Sequence, residues 1–399
     1  MITRLKTLLI SLALIVNLSW YGCESYQWHK ELPIHTRIDF EGNDFLQSMH
    51  RTSDEGFVIV GRSDSFRITN EIVIIRLDAA LRMIWTKALG TSGNDSGMDI
   101  VETADGGFLV VGSLRTTTGQ FDVLLARLSH QGDVLWTRLY GGFNNEEVRR
   151  IIKIQANKFA ILANTSSFGA GGSDIWVLTV NSDGDSLGSY TFGGTTSERM
   201  LGATATSDGG LAITGYISDE TYDAFILRVS SSFQTINFTR YESLQRDEGL
   251  DIKELHNGDF IITGRSNNVR VPYINYDAHA FRVKPDGTME WSKRFGRTNY
   301  DILSSSVLLI DESIIAVGHS YHISPKFELN QQMLIARISS KGDTLWTRSL
   351  GGKYADDALA ILPLDDERFL VGANTNNTEK RDTGIVLFII DKDGFGKPE

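Results

Sequence analysis

The sequence predicts an all-β protein, a seven-bladed β-propeller of four-stranded antiparallel blades. Three observations predict this fold: a unit of about fifty residues recurs along the chain, most units carry a strong hairpin signal, and the C-terminal unit is one strand short. The composition agrees, because 38 Gly against 6 Pro, with 20 Phe, 12 Tyr and 7 Trp in 399 residues, favours short strands and tight turns.

The clearest part of the repeat is a segment in which an apolar residue, Trp, a hydroxyl residue and a basic residue follow one another. Intact or degenerate copies lie at 84–87, 135–138, 187–190, 237–240, 290–293 and 345–348. Their anchor positions, 85, 136, 188, 238, 291 and 346, are 50 to 55 residues apart. A period of this length holds four short strands, which is the content of one propeller blade.

A second strand, rich in Val, Ile and Phe, follows the turn signal within each unit. The clearest turn is Asp105-Gly106-Gly107, and an Asp-Gly step predicts a hairpin because those residues accept the positive φ of a tight turn. Seven copies of this strand begin near residues 57, 108, 159, 211, 260, 314 and 369, but only six outer strands follow them. Residues 34–38 have the missing pattern, with His35 in the Trp position, so we expect the N-terminal strand to complete the last blade.

The N-terminus has the pattern of a secretory signal. Arg4 and Lys6 precede an apolar run at 8–18 that is too short to span a bilayer comfortably. The only cysteine, Cys23, follows this run, and segment 18–23 resembles the lipobox of bacterial lipoproteins, with Gly22 fitting the pattern and Trp20 and Tyr21 departing from it. The resemblance implies a lipid anchor on Cys23, and the alternative is an ordinary cleaved signal. We therefore expect a signal at 1–23, a linker at 24–31 and the propeller at 32–399.

Segment 127–136 resembles the tryptophan-docking repeat of quinoprotein-type propellers, in which a Gly turn leads to a Trp that packs between blades. From about residue 32 onward, the chain also resembles the repeat-built propeller lipoproteins of Gram-negative bacteria, which have no assigned activity. The resemblance implies the fold and a location in the cell envelope, on the periplasmic or surface side. It specifies no function, because propellers include enzymes, binding proteins and scaffolds.

Charge and motifs exclude several classes of function. The formal net charge of −11 argues against a nucleic-acid partner, and one cysteine excludes disulfides within the chain. The chain contains no Gly-x-Ser-x-Gly elbow, P-loop, His-Glu-x-x-His or Gly-x-Gly-x-x-Gly motif. We predict a monomer without an organic cofactor.

An acidic residue follows each anchor by nine or ten positions. These residues are Asp44, Asp95, Glu146, Glu198, Asp247, Asp301 and Asp356. They could form a ring of hard oxygen ligands around the central channel, binding Ca²⁺ or a cationic ligand. The other interpretation is structural: each carboxylate accepts backbone N–H bonds where one blade crosses to the next, and strict repetition favours this role.

Loop length breaks the symmetry of the repeat. The longest second-to-third loops, at 266–276 and 320–331, belong to neighbouring units and are therefore expected to lie side by side. They predict a ligand site formed by Arg270, Tyr273, Tyr276, Tyr321 and His322, because Tyr stacks on sugar rings and Arg pairs with carboxylate or phosphate. Two tolerated surface insertions would leave the same pattern.

The sequence favours non-catalytic binding or scaffolding at the cell envelope, with a glycan or an envelope protein on the face that carries the variable loops. The alternative is an envelope polysaccharide hydrolase or lyase with its site at the channel mouth. A cluster of acidic and His side chains in one asymmetric pocket would favour the enzyme, and a shallow aromatic surface would favour the binding protein.

Overall fold

Seven antiparallel sheets of four strands each form a ring in the computed structural model, which describes residues 34–66, 69–91, 93–243, 245–267, 275–296, 300–323, 329–351, 355–376 and 382–395. These residues form twenty-eight strands and no helix, which confirms the predicted propeller. Within these ranges, accordingly, there is no helix of the length and apolarity that a membrane span requires.

Six blades take their four strands in chain order, and blade seven takes its outer strand from the N-terminus. Blade one comprises β2 (Asp44–Arg51), β3 (Phe57–Ser63), β4 (Glu71–Leu77) and β5 (Met83–Leu89). Blade two comprises β6 (Ser96–Glu102), β7 (Phe108–Arg115), β8 (Phe121–Leu128) and β9 (Val134–Tyr140). Blade three comprises β10 (Glu146–Gln155), β11 (Lys158–Thr165), β12 (Asp174–Val180) and β13 (Ser186–Phe192). Blade four comprises β14 (Ser197–Ala205), β15 (Leu211–Ser218), β16 (Tyr222–Val229) and β17 (Thr235–Arg240). Blade five comprises β18 (Asp247–Glu254), β19 (Phe260–Asn267), β20 (Tyr276–Val283) and β21 (Met289–Phe295). Blade six comprises β22 (Asp301–Leu308), β23 (Ile314–Ile323), β24 (Leu329–Ile338) and β25 (Thr344–Leu350). Blade seven comprises β26 (Asp356–Pro363), β27 (Arg368–Asn376), β28 (Thr383–Asp391) and the N-terminal β1 (Ile34–Ile38).

The N-terminal strand closes the ring as predicted. β1 pairs antiparallel with β28, with Ile38 opposite Ile385, and so supplies the fourth strand of blade seven. The Thr36 hydroxyl also donates a hydrogen bond to the Leu81 carbonyl of blade one at 3.2 Å. β1 thus covers the outer edge of β28 and links the last blade to the first.

The hydrophobic core lies between the blades. Among the described residues, seven buried clusters each join two neighbouring blades. In β3, for example, Val58 and Val60 pack toward blade two, whereas Phe57 and Ile59 pack toward blade seven. Because both faces of the second strand are buried, its sequence is a continuous apolar run and not an alternation.

An arginine and an aspartate stabilise the first hairpin of five blades. The Arg127 guanidinium of β8 donates to the Phe108 and Leu128 carbonyls at 3.2 and 2.8 Å and to the Asp105 carboxylate in the turn. The equivalent pairs are Arg76 with Asp54, Arg228 with Asp208, Arg282 with Asp259, and Arg337 with Asp311. The acidic residue of the turn signal therefore has a second task beyond shaping the turn.

The outer-strand Trp docks on the next blade. Trp85 of blade one packs over Gly132 of blade two, and its indole N–H donates to the His130 carbonyl at 3.1 Å. A Cβ added at Gly132 would lie 2.7 Å from the Trp85 ring, and its φ of +86° also favours Gly. Trp136, Trp291 and Trp346 make the same approach to Gly184, Gly342 and Gly394. The packing expected of the docking repeat is present.

The two ends of the ring differ. All inner strands, the first strand of each blade, begin at one end, which also carries the blade crossings and the second-to-third loops; we call it the loop face. The opposite end carries the first-to-second and third-to-fourth turns, and we call it the turn face. In blade six the predicted loop at 320–331 is largely strand, because the ladder continues through Tyr321 opposite Gln331 to Ile323 opposite Leu329.

Candidate functional site

The seven predicted acidic residues are buried at the loop-face ends of the inner strands. Asp95 shows the pattern: one oxygen accepts the Thr91 N–H at 2.6 Å across the blade crossing, and the other accepts the Arg115 N–H at 2.8 Å. Glu146 accepts the Gly142 N–H, and Glu198 the Gly194 N–H, both at 3.0 Å. These carboxylates bind the crossing to the blade.

Asp44 makes the equivalent contacts in blade one. It accepts the Phe40 N–H at 2.8 Å and the hydroxyl groups of Ser63 and Ser65 at 2.5 and 3.0 Å. Burial raises the pKa of Asp44, although these hydrogen bonds oppose the rise. Within the part of the chain that the structure describes, no three His, Cys, Asp or Glu side chains are grouped to hold a metal ion. Calcium binding by the ring stays a prediction.

Every inner strand contains a bulge. The register shifts by one residue at the same place in all seven strands, between residues such as Leu46 and Ser48. The inserted residues are Gln47, Met98, Arg149, Leu201, Leu250, Ser304 and Leu359, and each is half-buried. A bulge re-aims the side chains that follow it, so the positions beyond this point line the channel toward the turn face.

An aromatic cluster occupies the loop face over blades five and six. Tyr300 is its centre: its ring lies 5.1 Å from Tyr276, 5.9 Å from His319 and 5.5 Å from Tyr321. The Arg265 guanidinium lies 4.6 Å over the Tyr276 ring and donates to the Tyr300 hydroxyl at 2.6 Å. We call these five residues the Tyr300 cluster. Two neighbouring blades thus share one aromatic and cationic surface.

Two carboxylates hold the Tyr300 cluster in place. Glu248, at the start of β18, accepts two hydrogen bonds from the Arg265 guanidinium at 3.0 and 2.8 Å. Asp357, at the start of β26, lies 2.9 Å from the His319 Nδ1. Burial raises the pKa of Tyr300, although Arg265 opposes the rise, so its hydroxyl stays protonated at neutral pH.

The structure brings together two of the residues predicted for the ligand site. Tyr276 is 6% exposed under Arg265, and Tyr321 is half-buried beside Tyr300. Arg270 and Tyr273, like Cys23, lie outside the described residues, and so does the side chain of His322. Ligand binding at these positions stays a prediction.

The loop face also exposes phenylalanine. Phe143, in the crossing from blade two to blade three, is 92% exposed, and Phe66 and Phe168 in second-to-third loops are also exposed. Exposed aromatic residues at one end of a folded protein are typical of contact surfaces. The loop face therefore carries exposed aromatic side chains on blades one to three as well as the Tyr300 cluster over blades five and six.

The second candidate region is a cavity of about 330 Å³ in the channel, on the turn-face side of the bulges. All seven inner strands contribute to its wall. Lys153 and Ala205, near its rim, are exposed, so the cavity opens at the turn face. We call it the channel cavity.

Asp99 is the centre of a hydrogen-bonded group of side chains in the channel cavity. It is fully buried and lies 2.7 Å from the His50 Nε2, while it accepts hydrogen bonds from the Ser48 hydroxyl at 2.7 Å and the Ile151 N–H at 3.0 Å. Burial would raise the pKa of Asp99, but the neighbouring His50 and Arg150 lower it overall. The side chain of His50 is 40% exposed to the channel.

Asp251 is the second buried acid of the cavity. It accepts the Ser306 N–H and hydroxyl, both at 2.8 Å, and pairs with the Lys253 amine at 3.0 Å. Burial would raise the pKa of Asp251, but Lys253 and Arg150 lower it overall. Both cavity acids are therefore ionised and hydrogen-bonded at neutral pH.

The channel cavity was not predicted from the sequence, although the sequence carries one signal for it. The fourth residue after each acidic position is Ser48, Asp99, Arg150, Gly202, Asp251, Ser305 and Ala360. The charge at this position varies from blade to blade, whereas the neighbouring positions repeat. A position that varies within a conserved repeat pattern indicates a role other than holding the scaffold together. In a regular strand, side chains alternate between the two faces of the sheet. This alternation alone does not predict that these residues face the channel, because it does not include the bulge.

Comparison with known proteins shows the fold and no family. No family model and no curated protein matches the sequence. A structure of Ycf48 bound to a D1 peptide is similar at 9% identity and TM-score 0.56, with 92% of this chain and 98% of that chain covered. Sqt1 from Chaetomium thermophilum is similar at 12% identity and TM-score 0.51, with 89% and 98% covered. A puromycin hydrolase variant is similar at 11% identity and TM-score 0.55, with 90% of this chain and 53% of that chain covered.

Proposed function

We propose that this protein is a non-catalytic binding or scaffolding protein of the bacterial cell envelope whose ligand docks on the loop face over blades five to seven. The observation that carries the proposal is the Tyr300 cluster. Its residues come from two blades, and Asp357 of a third blade orients His319. The envelope location is supported by the signal-like segment and by the position of Cys23.

The chemistry of the cluster suits a glycan. A half-buried Tyr ring offers a flat apolar face to a sugar ring, and the Tyr300 hydroxyl donates to no described residue, so its hydrogen can serve a sugar hydroxyl. Arg265 and Glu248 hold each other, which keeps the aromatic surface rigid. A surface organised before binding loses less entropy when the ligand arrives.

An envelope protein is a second class of ligand for the same face. The exposed rings of Phe66, Phe143 and Phe168 support it, because aromatic residues are enriched in the buried centres of protein interfaces. Ycf48, which has a similar fold, was solved with a bound peptide, and that contact belongs to Ycf48 alone. We favour the glycan over the protein, because the Tyr300 cluster combines stacking rings with hydrogen-bond donors.

The alternative function is hydrolysis or cleavage of an envelope polysaccharide in the channel, and the His50–Asp99 pair favours it. A buried Asp can orient a His as general base. Against it, a glycoside hydrolase needs one carboxyl group whose pKa is raised so that it can act as an acid, and both cavity acids have lowered pKa values. The cavity acids therefore argue against the hydrolase, and binding remains our proposal because it rests on the Tyr300 cluster.

A glycan array probed with purified residues 24–399 tests the proposal. We expect bound glycans, and we expect the double variant Tyr273→Ala with Tyr321→Ala to lose roughly tenfold or more in affinity for them, because each stacked ring contributes about 0.5–1.5 kcal/mol beyond area burial. Phe238→Ala, an aromatic change on the outer strand of blade four, is the matched control and should bind as the unchanged protein does.

Two results would contradict this proposal. Normal glycan binding by the double Tyr variant would move the site away from the Tyr300 cluster. Release of shorter products from an envelope polysaccharide, abolished by His50→Ala, would replace the binding function by the enzymatic alternative.

A further inference from the structure

Arg150 is an arginine of the channel cavity without a hydrogen-bond or ion-pair partner among the described residues. Its side chain is half-buried, and its guanidinium carries five N–H donors that are open to the channel. The scaffold arginines differ, since Arg76 and Arg127 donate to carboxylate and carbonyl oxygens of their own blades. Arg150 therefore has donor capacity that the fold does not use.

The two cavity acids do not use up this capacity. Asp99 is held by His50, Ser48 and a backbone N–H, and Asp251 by Lys253 and Ser306. The positive charge of Arg150 nevertheless lowers the pKa of both. Asp99 belongs to blade two and Asp251 to blade five, so the charge of Arg150 acts across the channel and not along one wall.

The charge of the cavity matches a single negative charge. Its wall carries three permanent cations, Arg150, Lys153 and Lys253, against the two carboxylates of Asp99 and Asp251. The local excess of one positive charge stands out in a chain of net charge −11. A monoanion balances this excess, whereas a phosphate dianion overcompensates it.

The shape of the cavity limits the size of the ligand. About 330 Å³ lies at the lower end of the range for small-molecule sites. The wall mixes apolar and polar residues: Met49, Val101, Ile152, Leu359 and Leu362 line it together with Ser305 and Thr204. A small molecule with one acidic group and a compact, partly apolar body fits such a wall.

We propose that the channel cavity binds a small organic monocarboxylate, with the carboxylate paired to the Arg150 guanidinium and the body against the apolar residues of the wall. A guanidinium and a carboxylate pair through two parallel hydrogen bonds, which gives orientation as well as affinity. Lys153 at the exposed rim adds attraction for the incoming anion. The site is separate from the Tyr300 cluster and does not depend on the function proposed for the loop face.

Isothermal titration calorimetry on residues 24–399 tests the inference with acetate, butyrate, benzoate and D-glucuronate as probes. Butyramide, benzamide and D-glucose are the neutral counterparts of the last three, and inorganic phosphate, titrated at about pH 8 where it is mostly doubly charged, is the dianion. We expect at least one monocarboxylate to bind one to one with a Kd below about 10 mM, and roughly tenfold or more tighter than its neutral counterpart.

Variants locate the bound anion. Arg150→Gln should weaken binding roughly tenfold or more. The variant should still fold, as judged by its circular dichroism spectrum, although loss of the positive charge near Asp99 and Asp251 should lower the melting temperature somewhat. Lys153→Gln should weaken it by a smaller factor. Arg82→Gln, which removes a cation that is 80% exposed on the outer rim of blade one, should leave binding unchanged.

Three results would overturn the inference. They are the absence of binding by all four monocarboxylates, equal binding by Arg150→Gln, and phosphate binding tighter than every monocarboxylate. None of them bears on glycan binding at the loop face, which the double Tyr variant measures separately.

Discussion

The Arg127 guanidinium lies buried behind the hairpin turn of blade two, with its Nη2 at 2.6 Å from both carboxylate oxygens of Asp105. The other terminal nitrogen donates to the carbonyls of Phe108 and Leu128. One side chain thus joins the turn, the second strand and the third strand. Because Asp105 faces solvent, the buried charge is neutralised without burying its partner, which keeps the desolvation penalty small.

Removal of this arginine should destabilise the propeller. Arg127→Met leaves two buried carbonyl groups and Asp105 without their donor, so we expect the free energy of unfolding to fall by about 1–3 kcal/mol. Urea denaturation measures it. Arg82→Met, which breaks an exposed pair with Asp78, is the control and should cost less than about 0.5 kcal/mol. Equal losses in the two variants would refute the role assigned to Arg127.

Acid should weaken the same turns. The Thr103 hydroxyl and Arg127 lower the pKa of Asp105 to about 2, and Thr52 and Arg76 lower that of Asp54 to about 2. A carboxyl group whose pKa is lower in the folded than in the unfolded state stabilises the protein at pH values above the unfolded-state pKa, near 3.9. This contribution to the free energy of unfolding disappears as the pH falls toward 2. Both carboxylates are more than one third exposed, so solvent screening makes each contribution small.

Comparison of Asp105→Asn with the unchanged protein isolates this contribution. The difference in urea midpoint should be present from pH 5 to 7 and should shrink between about pH 4 and 2. A difference that persists unchanged at pH 2 would contradict the assignment.

Docking of the outer-strand Trp should depend on Gly132. Gly132→Ala places a Cβ at 2.7 Å from the Trp85 ring and strains a φ of +86°. Gly119→Ala strains a similar φ of +88° where nothing lies within 4 Å, so it is the matched control for the backbone effect. We expect Gly132→Ala to cost about 1–3 kcal/mol more than Gly119→Ala, since overpacking adds to the strain. Thermal denaturation compares them, and equal costs would mean that Trp85 does not need the glycine.

Closure of the ring should depend on β1. Deletion of residues 24–40 exposes the edge of β28 and removes Ile38, which is buried at 3% exposure. We expect a loss of several kcal/mol, at about 25 cal/mol per Å² of apolar area, and a tendency to aggregate. Deletion of residues 24–31 alone is the control and should melt as the full 24–399 chain does. If the longer deletion melts equally well, β1 is dispensable.

Membrane attachment should depend on Cys23. It is the only cysteine, and it directly follows the signal-like segment. We expect Cys23→Ala to move the protein from the membrane fraction to the soluble fraction, as judged by fractionation and immunoblotting. Ser19→Ala, a small change within the same segment, should leave it attached. Membrane association that survives Cys23→Ala would rule out a lipid anchor on this residue.

The sequence by itself determined the fold, because each of its signals is local and recurs seven times. The Asp105-Gly106 turn, the buried run that follows it and the Trp136 strand specify one blade, and repetition specifies the ring. The missing copy of the outer-strand pattern in the last repeat unit even located its replacement in Ile34–Ile38, which forms the outer strand of blade seven. The bonds of Asp95 and Glu146 across the blade crossings also follow from repetition.

Only the tertiary structure decided which side chains meet. The bulge between Gly97 and Asp99 turns the following residues toward the channel, and a period-two pattern does not reveal such a shift. Arg150 and Asp251 are about a hundred residues apart in the sequence. The repeat pattern predicts contacts only between neighbouring blades, and these two residues lie in blades that are not neighbours. The ring brings them to one cavity because all seven inner strands face a common axis, and that juxtaposition is a property of closure and not of any local segment.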